Sequence, residues 1–245
     1  MSATAPVVPW RSPLAAAVQK ESPEELRKRL ARGEGEAIRA LRGSDGTPAS
    51  GQSLLFVAAQ RSNQTRSKDA RDVEEAVARE VCRLLVVEAG LPPDEPDQVG
   101  LHTPLFFAAA GGATGVATLL IELRADVNRL DRNKQTPIFF AAREGKVDCV
   151  QALLEARANP GVRDVQGQTP AFYAIKHSRE GALKMLLACS ETGAANTCDR
   201  WGRTMLFYTK DAGTCQLLLE ARCNPTSCDL DLQSALFYAA RYGRE

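Results

Sequence analysis

One motif returns at a fixed interval in the middle of this sequence and sets the register of the whole chain. Thr103-Pro104 recurs as Thr136-Pro137 and again as Thr169-Pro170, so that each step is 33 residues. Self-similarity at a period of this size is typical of stacked structural repeats. In such an array each unit contacts only its neighbours, so the 245 residues are not divided into ordinary compact domains.

Residues 136–166 indicate what one repeat folds into. The Thr-Pro pair suits a helix start, because the threonine hydroxyl can cap free amides and proline at the first helical position loses no hydrogen bond. We expect a helix over IFFAARE, ended by Gly145, and a second helix over VDCVQALLEAR with one apolar stripe. Turn-forming residues in ANPGVRDVQG close the unit. Neither helix can bury its apolar face alone, so neighbouring copies must stack.

The first complete copy contains five short motifs in a characteristic order. They are Thr103-Pro104-Leu105, Ala108-Ala109, Gly112, Leu119-Leu120 and Ala125-Asp126-Val127-Asn128. This succession resembles the ankyrin repeat, and the resemblance covers most of the chain from about Ser12 onward. It implies an all-α fold, an ankyrin-type solenoid of stacked helix-turn-helix repeats with short β-hairpin-like fingers. It also implies a binding surface made by the fingertips and by a groove lined with the first helices.

The register divides the chain into segments of unequal regularity. We expect a disordered N-terminus (1–11), a degenerate capping repeat (12–33), a connector (34–50), a repeat with a polar insertion (51–99), ankyrin repeats (100–133, 134–166 and 167–201), a short ankyrin repeat (202–231) and an incomplete repeat (232–245). Two extra residues fall near Ser190-Glu191, and three residues are lost around Gly213 between the helices of the short repeat. Because the last repeat stops at Glu245 inside its first helix, we expect the chain to be a fragment or a truncated gene model.

Aromatic residues replace the histidine that usually follows Thr-Pro-Leu in the ankyrin pattern. The first column contains Phe56, Phe106, Phe139, Phe172, Phe207 and Phe237, and the second contains Phe107, Phe140, Tyr173, Tyr208 and Tyr238. One interpretation is a buried aromatic ladder between repeats, and the other is a stripe partly open to a ligand. We favour the ladder for the first column, and both interpretations stand for the second.

The glycine that usually ends the second helix is also replaced. Arg124, Arg157 and Arg222 occupy that position in three copies, whereas Gly90 and Gly193 keep it in two others. The position normally needs a left-handed backbone, which costs a residue other than glycine about 1 kcal/mol. We expect the arginine side chains to compensate by pairing with the last carbonyls of the helix.

Composition narrows the functional classes. The chain has 31 basic and 30 acidic residues, so its formal net charge of +1 gives no electrostatic footprint for nucleic acid or an anionic membrane. No apolar run approaches the roughly 18 residues that a membrane span needs, and the N-terminus lacks the pattern of a secretory signal. We read most of the seven cysteines as reduced. We therefore expect a cytoplasmic protein, or more broadly an intracellular one with the nucleus not excluded.

No constellation of catalytic residues stands out. His102 and His177 are the only histidines, and neither a phosphate-binding glycine loop nor a nucleophile elbow occurs. Cys223 and Cys228 are a remote alternative as zinc ligands, since their spacing is loose and no nearby histidine completes a set. We predict that the chain is not an enzyme and has no catalytic residues, cofactor or metal.

We predict instead a monomeric scaffold that binds a protein partner through residues that vary between repeats. At the fingertips these are Leu130, Arg132, Asn133 and Gln135; Arg163, Val165, Gln166 and Gln168; and Arg200, Trp201 and Arg203. In the groove they are Arg143, Glu144, Lys176 and His177. Trp201 between two arginines has the composition of an interface hot spot. Alternatively, its ring covers the insertion near Ser190.

Two other functions compete with this interpretation. The first is a regulatory or targeting segment of a larger multidomain enzyme, suggested by the end of the chain inside a helix. The second is nucleic-acid binding, which the balanced charge disfavours and for which Arg132, Arg163, Arg200 and Arg203 are the only hint. Strong salt dependence of binding would support the second.

Overall fold

The computed structural model describes residues 18, 20–34, 55, 58–59, 68–97, 99–189 and 194–242. The regular elements within these ranges are helices, accompanied by two isolated β-bridges. The chain separates into two compact units, Met1–Asp126 and Val127–Glu245. The predicted disordered N-terminus, connector residues 35–50, Phe56, Gly193 and the insertion at Ser190-Glu191 lie outside the described residues.

In its described residues, the unit Met1–Asp126 contains four α-helices with defined bounds. They are α1 (Pro23–Arg29), α2 (Lys68–Arg83), α3 (Pro104–Gly111) and α4 (Thr114–Glu122), and π-helical turns extend α1 over Leu30–Glu34 and α2 over Leu84–Glu88. Helix α2 packs against α1 and α4, while α3 packs against α4. The core between them is mainly aliphatic and includes the fully buried Leu26, Leu85 and Leu120, together with Phe106.

The unit Val127–Glu245 contains six α-helices in its described residues. They are α5 (Pro137–Glu144), α6 (Val147–Glu155), α7 (Pro170–Lys176), α8 (Glu180–Cys189), α9 (Ala212–Glu220) and α10 (Ala235–Tyr242), with 3-10 turns at Ala194–Asn196 and Met205–Tyr208. Helix α5 packs on α7, α7 on the turn Met205–Tyr208, and that turn on α10. The second helices α6 and α8 also pack together. Successive copies therefore stack like on like, as the repeat period requires.

The short repeat is shortened in a different place from the one that we predicted. We expected the loss around Gly213, between the helices, but Gly213 lies within the first turn of α9. Asp211 caps this helix, because its side chain accepts a hydrogen bond from the Thr214 N–H at 2.8 Å. The first helix absorbs the deletion instead, since only the 3-10 turn Met205–Tyr208 remains of it.

Helices α3, α5 and α7 begin at the predicted proline but without the predicted side-chain cap. None of Thr103, Thr136 and Thr169 makes a side-chain capping hydrogen bond. The N–H of the third helical residue donates instead to the threonine carbonyl, for example from Phe106 to Thr103 at 3.0 Å. The backbone carbonyl of the threonine thus takes the amide that its hydroxyl would cap, and proline has no N–H to offer. The capping prediction was therefore wrong.

The three arginines at the ends of the second helices have the predicted left-handed backbone. Their φ angles are 70° for Arg124, 64° for Arg157 and 60° for Arg222. In two of these turns an asparagine one repeat earlier satisfies the free carbonyl. The side-chain N–H of Asn128 donates to the carbonyl of Arg157 at 3.3 Å, and that of Asn196 donates to Arg222 at 2.9 Å. The compensation thus comes from a neighbouring repeat rather than from the arginine side chain.

Candidate interaction surface

Each finger between repeats is built around one buried aspartate. One oxygen of Asp164 accepts hydrogen bonds from the N–H groups of Gln166 and Gln168, at 2.8 and 2.9 Å. The backbone N–H of Asp164 donates to the carbonyl of Gln168 at 2.9 Å and closes the turn. The same arrangement is repeated at Asp131, Asp199 and Asp229. The predicted hairpin-like fingers are confirmed, and an aspartate caps each of these four turns.

Backbone hydrogen bonds connect one finger to the next in the unit Val127–Glu245. The carbonyl of Asn133 accepts from the Val165 N–H at 3.0 Å, and that of Gln166 accepts from Arg200 at 2.8 Å. The carbonyl of Trp201 accepts from Leu230 at 3.0 Å. Fingertip residues are therefore held in a fixed register, although the side chain of Asn133 is exposed and those of Gln166 and Trp201 are partly exposed.

Two residues predicted for the surface belong to the interior. Gln135 is 7% exposed and Gln168 is fully buried. The side-chain amide of Gln135 donates to Tyr173 Oη at 2.7 Å and to Asp164 Oδ2 at 3.2 Å. Gln168 accepts from Lys176 Nζ at 2.6 Å. A residue that uses its amide to join two repeats cannot offer it to a partner, so we remove both glutamines from the binding surface.

In the unit Val127–Glu245 the two aromatic columns form one interleaved ladder. Phe106, Phe139 and Phe172 are buried, and Phe139, Phe172 and Phe207 each contact the tyrosine of the following repeat edge-on. The ring centroids lie 5.6 Å apart for Phe139 and Tyr173 and 5.8 Å apart for Phe172 and Tyr208. Such pairs contribute about 0.5–1.5 kcal/mol beyond the burial of area. In this unit the ladder therefore joins phenylalanines of the first column to tyrosines of the second.

The tyrosines of the ladder also bind the aspartates of the fingers. Tyr173 donates its hydroxyl to Asp164 Oδ2 at 2.7 Å, and Tyr208 donates to Asp199 in the same way. Burial raises the pKa of both tyrosines, and the hydrogen bond to a carboxylate raises it further. Both hydroxyls stay protonated at neutral pH, so each aspartate keeps a permanent donor.

Several of the predicted fingertip side chains are exposed. Leu130 is 46% exposed and Val165 is 51% exposed, and Arg132 and Asn133 also face solvent. The exposed Arg163 has its guanidinium fixed between two fingers, because it donates to the carbonyls of Gly167, at 2.9 Å, and of Cys198. The surface thus combines apolar and cationic side chains on an ordered backbone.

Trp201 lies between two guanidinium groups. The central carbon of Arg200 is 4.4 Å from a ring centroid of Trp201, and that of Arg203 is 4.5 Å away. Arg203 also lies 5.5 Å from the ring of Tyr208. This cluster joins the fingertip to the aromatic ladder. The alternative in which the ring covers the insertion near Ser190 involves residues outside the described ranges.

The predicted groove residues lie at the ends of the first helices. Lys176 Nζ is 4.6 Å from the ring centroid of Tyr208, and burial lowers the pKa of this amine. Arg143 pairs with its neighbour Glu144 at 3.0 Å. His177 is largely exposed, but partial desolvation lowers its pKa, and the charge of Arg143 lowers it further.

Two further cations at the ends of the first helices were missed in the sequence. Arg179 Nε donates to the carbonyl of Arg143 at 3.2 Å, and Lys210 Nζ donates to that of Lys176 at 2.7 Å. Each cation thus binds a C-terminal residue of the preceding first helix, where the helix dipole favours positive charge. The signal in the sequence was a basic residue just beyond each first helix.

Other kinds of site have little support in the part of the chain that the structure describes. No group of three or more His, Cys, Asp or Glu side chains there is placed to hold a metal ion. An apolar pocket between the turn Met205–Tyr208, α9 and α10 has no ionisable carboxylate, histidine, lysine or arginine in its lining. No helix among the described residues is long and apolar enough to cross a membrane.

Comparison with known families agrees with this geometry. The family model described as ankyrin repeats (3 copies) matches residues 73–164 and again residues 105–194. The two matches overlap and together reach over about half of the chain. No curated protein matches the chain.

Proposed function

We propose, from the premise that this chain is an ankyrin repeat protein, that it is a non-enzymatic scaffold for a protein partner. Ankyrin repeats generally mediate protein–protein interaction, and the family is typically non-catalytic. The proposed binding surface lies on the fingers and first helices of the unit Val127–Glu245. We further propose that the chain acts inside the cell as a monomer and needs neither nucleic acid nor a cofactor.

One observation carries this proposal: the hydrogen-bonding side chains of the fingers are used inside the stack, whereas the side chains that vary between fingers face solvent. The aspartate and glutamine side chains of the fingers form hydrogen bonds to other groups of the array, as Asp164 and Gln135 do. The side chains that differ between fingers, such as Leu130, Val165 and Trp201, remain wholly or partly exposed. A rigid frame with variable exposed side chains suits recognition of another protein.

The proposed binding residues are those predicted from the sequence without the two buried glutamines. They are Leu130, Arg132, Asn133, Arg143, Glu144, Arg163, Val165, Gln166, Lys176, His177, Arg200, Trp201 and Arg203. Trp201 is the proposed hot spot, because a large aromatic ring held between two arginines offers rigid contact area.

The test is to capture partners from a lysate with the full chain, purify the captured protein and measure its affinity by calorimetry. We expect Trp201→Ala to weaken binding by about 2 kcal/mol or more, roughly thirtyfold. Gln151→Ala, an exposed change on the second helix α6, serves as the matched control and should bind like the parent. Retention of the partner by Trp201→Ala would reject the hot spot, and failure to bind any protein would reject the scaffold.

A further inference from the structure

The even charge balance of the sequence does not describe the surface of the unit Val127–Glu245. The aspartates of its fingers are only 5–7% exposed; they are Asp131, Asp164, Asp199 and Asp229. Among the described residues, no lysine or arginine is buried to that degree. Negative and positive side chains are therefore separated: four aspartates are buried inside the turns, whereas the lysines and arginines of the described residues are not buried.

Five cations of this unit form what we call the basic strip. It consists of Lys176, Arg179, Arg200, Arg203 and Lys210.

The ring of Tyr208 joins the fingertip cations of the strip to Lys176. The Arg203 guanidinium lies 5.5 Å from the centroid of this ring and Lys176 Nζ lies 4.6 Å from it. Lys210 then contacts the Lys176 carbonyl, and Arg200 shares the Trp201 ring with Arg203.

Two carboxylates near the strip are paired with cations outside it: Glu144 with Arg143 at 3.0 Å and Glu180 with Lys184 at 2.7 Å. The exposed Asp211, next to Lys210, accepts hydrogen bonds from Thr214 and keeps its charge. The buried carboxylates Asp164 and Asp199 act on Lys176, and Asp229 acts on Arg203.

Asp199 lies 3.6 Å from Arg203 Nε but is buried beneath it. Burial lowers the pKa of His177; the charges of Arg143, Arg179 and Lys210 lower it further, whereas Glu144 raises it. The strip therefore presents exposed cations whose nearest finger carboxylates are buried.

We infer that the partner presents an acidic segment in extended conformation, whose Asp or Glu carboxylates bind the basic strip. This inference rests on the proposed function and names the chemistry of the partner. Packed helices lie about 8–10 Å apart, and an extended chain advances about 3.3 Å per residue. Cations at the ends of successive first helices therefore match carboxylates on about every third residue of the bound segment. Trp201, beside the strip, adds apolar contact.

The test is a selection of random peptides displayed on phage against the full chain. We expect the selected peptides to be enriched in Asp and Glu at intervals of about three residues. Fluorescence anisotropy of one selected peptide then compares the parent with a triple variant, Arg179→Gln, Arg200→Gln and Lys210→Gln. All three side chains are exposed, and circular dichroism establishes that the variant keeps its helices.

We expect the triple variant to bind about tenfold more weakly, equivalent to about 1.4 kcal/mol, and added salt to weaken the parent complex. Lys184→Gln is the control for loss of a cation outside the strip and is compared with Lys210→Gln alone, because it removes one exposed cation from α8, a second helix that contributes no residue to the strip. It should bind like the parent.

Three outcomes would overturn the inference, and they differ in what they say about the scaffold. Selected peptides that are not acidic, or that bind the triple variant as well as the parent, reject the acidic partner and leave the scaffold standing. Failure to select any peptide, together with the absence of any captured protein, rejects both. A single-stranded oligonucleotide that binds more tightly than the peptides and is lost from the triple variant would make nucleic acid the ligand.

Discussion

Asp164→Asn is the sharpest test of how the fingers are held together. The carboxylate is 6% exposed and faces four donors: two backbone N–H groups on one oxygen, and the Gln135 amide and Tyr173 hydroxyl on the other. Asparagine keeps the first acceptor but replaces the second by an NH₂ group. A hydrogen bond to a charged group contributes about 1.5–3 kcal/mol, and a buried donor left unsatisfied costs about 1–3 kcal/mol. The Gln135 amide keeps a second acceptor in Tyr173 Oη, which limits the penalty. We therefore expect the free energy of unfolding to fall by about 2–3 kcal/mol.

The assay is urea denaturation of the full chain, followed by circular dichroism. Asp231→Asn, an exposed fingertip change that also removes one charge, is the matched control and should alter stability by less than about 0.5 kcal/mol. A double-mutant cycle with Tyr173→Phe should give a coupling of about 0.5–3 kcal/mol between the two sites. If Asp164→Asn is as stable as Asp231→Asn, the carboxylate does not hold the finger and the argument fails.

Three further predictions concern the repeats themselves. Arg157→Gly should stabilise the chain by about 0.5–1 kcal/mol in urea denaturation, because the left-handed backbone at φ 64° suits glycine, and an unchanged or lower midpoint would contradict this. Phe172→Ala should lower the free energy of unfolding by about 3–5 kcal/mol. Phe237→Ala, at the equivalent position but 45% exposed, should lower it far less. Equal decreases in the two variants would reject the buried ladder. An unfolded tyrosine ionises near pH 10. In the folded chain, burial and the hydrogen bond to Asp199 raise the pKa of Tyr208. Above about pH 10 the unfolded state therefore loses its proton first, and stability falls as the pH rises. Tyr208→Phe should therefore lose stability less steeply than the parent in urea titrations above about pH 10, and identical slopes would count against the hydrogen bond.

The sequence by itself determined the repeat register and most of what is local to one repeat. A proline after Thr136 and a glycine at position 145 are enough to place the bounds of α5, because they act on the backbone of adjacent residues. The left-handed turn at Arg157 was also predicted, since it depends on residues close along the chain. The aspartate cap at Asp164 is equally local, because its backbone donors lie two and four positions further on.

Only the tertiary structure decided which polar side chains face the neighbouring repeat. Gln135 is a polar residue in a turn and was predicted at the surface, yet its partners Asp164 and Tyr173 lie 29 and 38 residues further along the chain. The basic strip likewise emerges from stacking, which brings Lys176 and Arg203 to the same tyrosine ring. Net charge is a sum over the sequence, whereas binding depends on where each charge is placed. Because burial and hydrogen bonding across a repeat interface are properties of two copies together, the pattern of one copy cannot determine them.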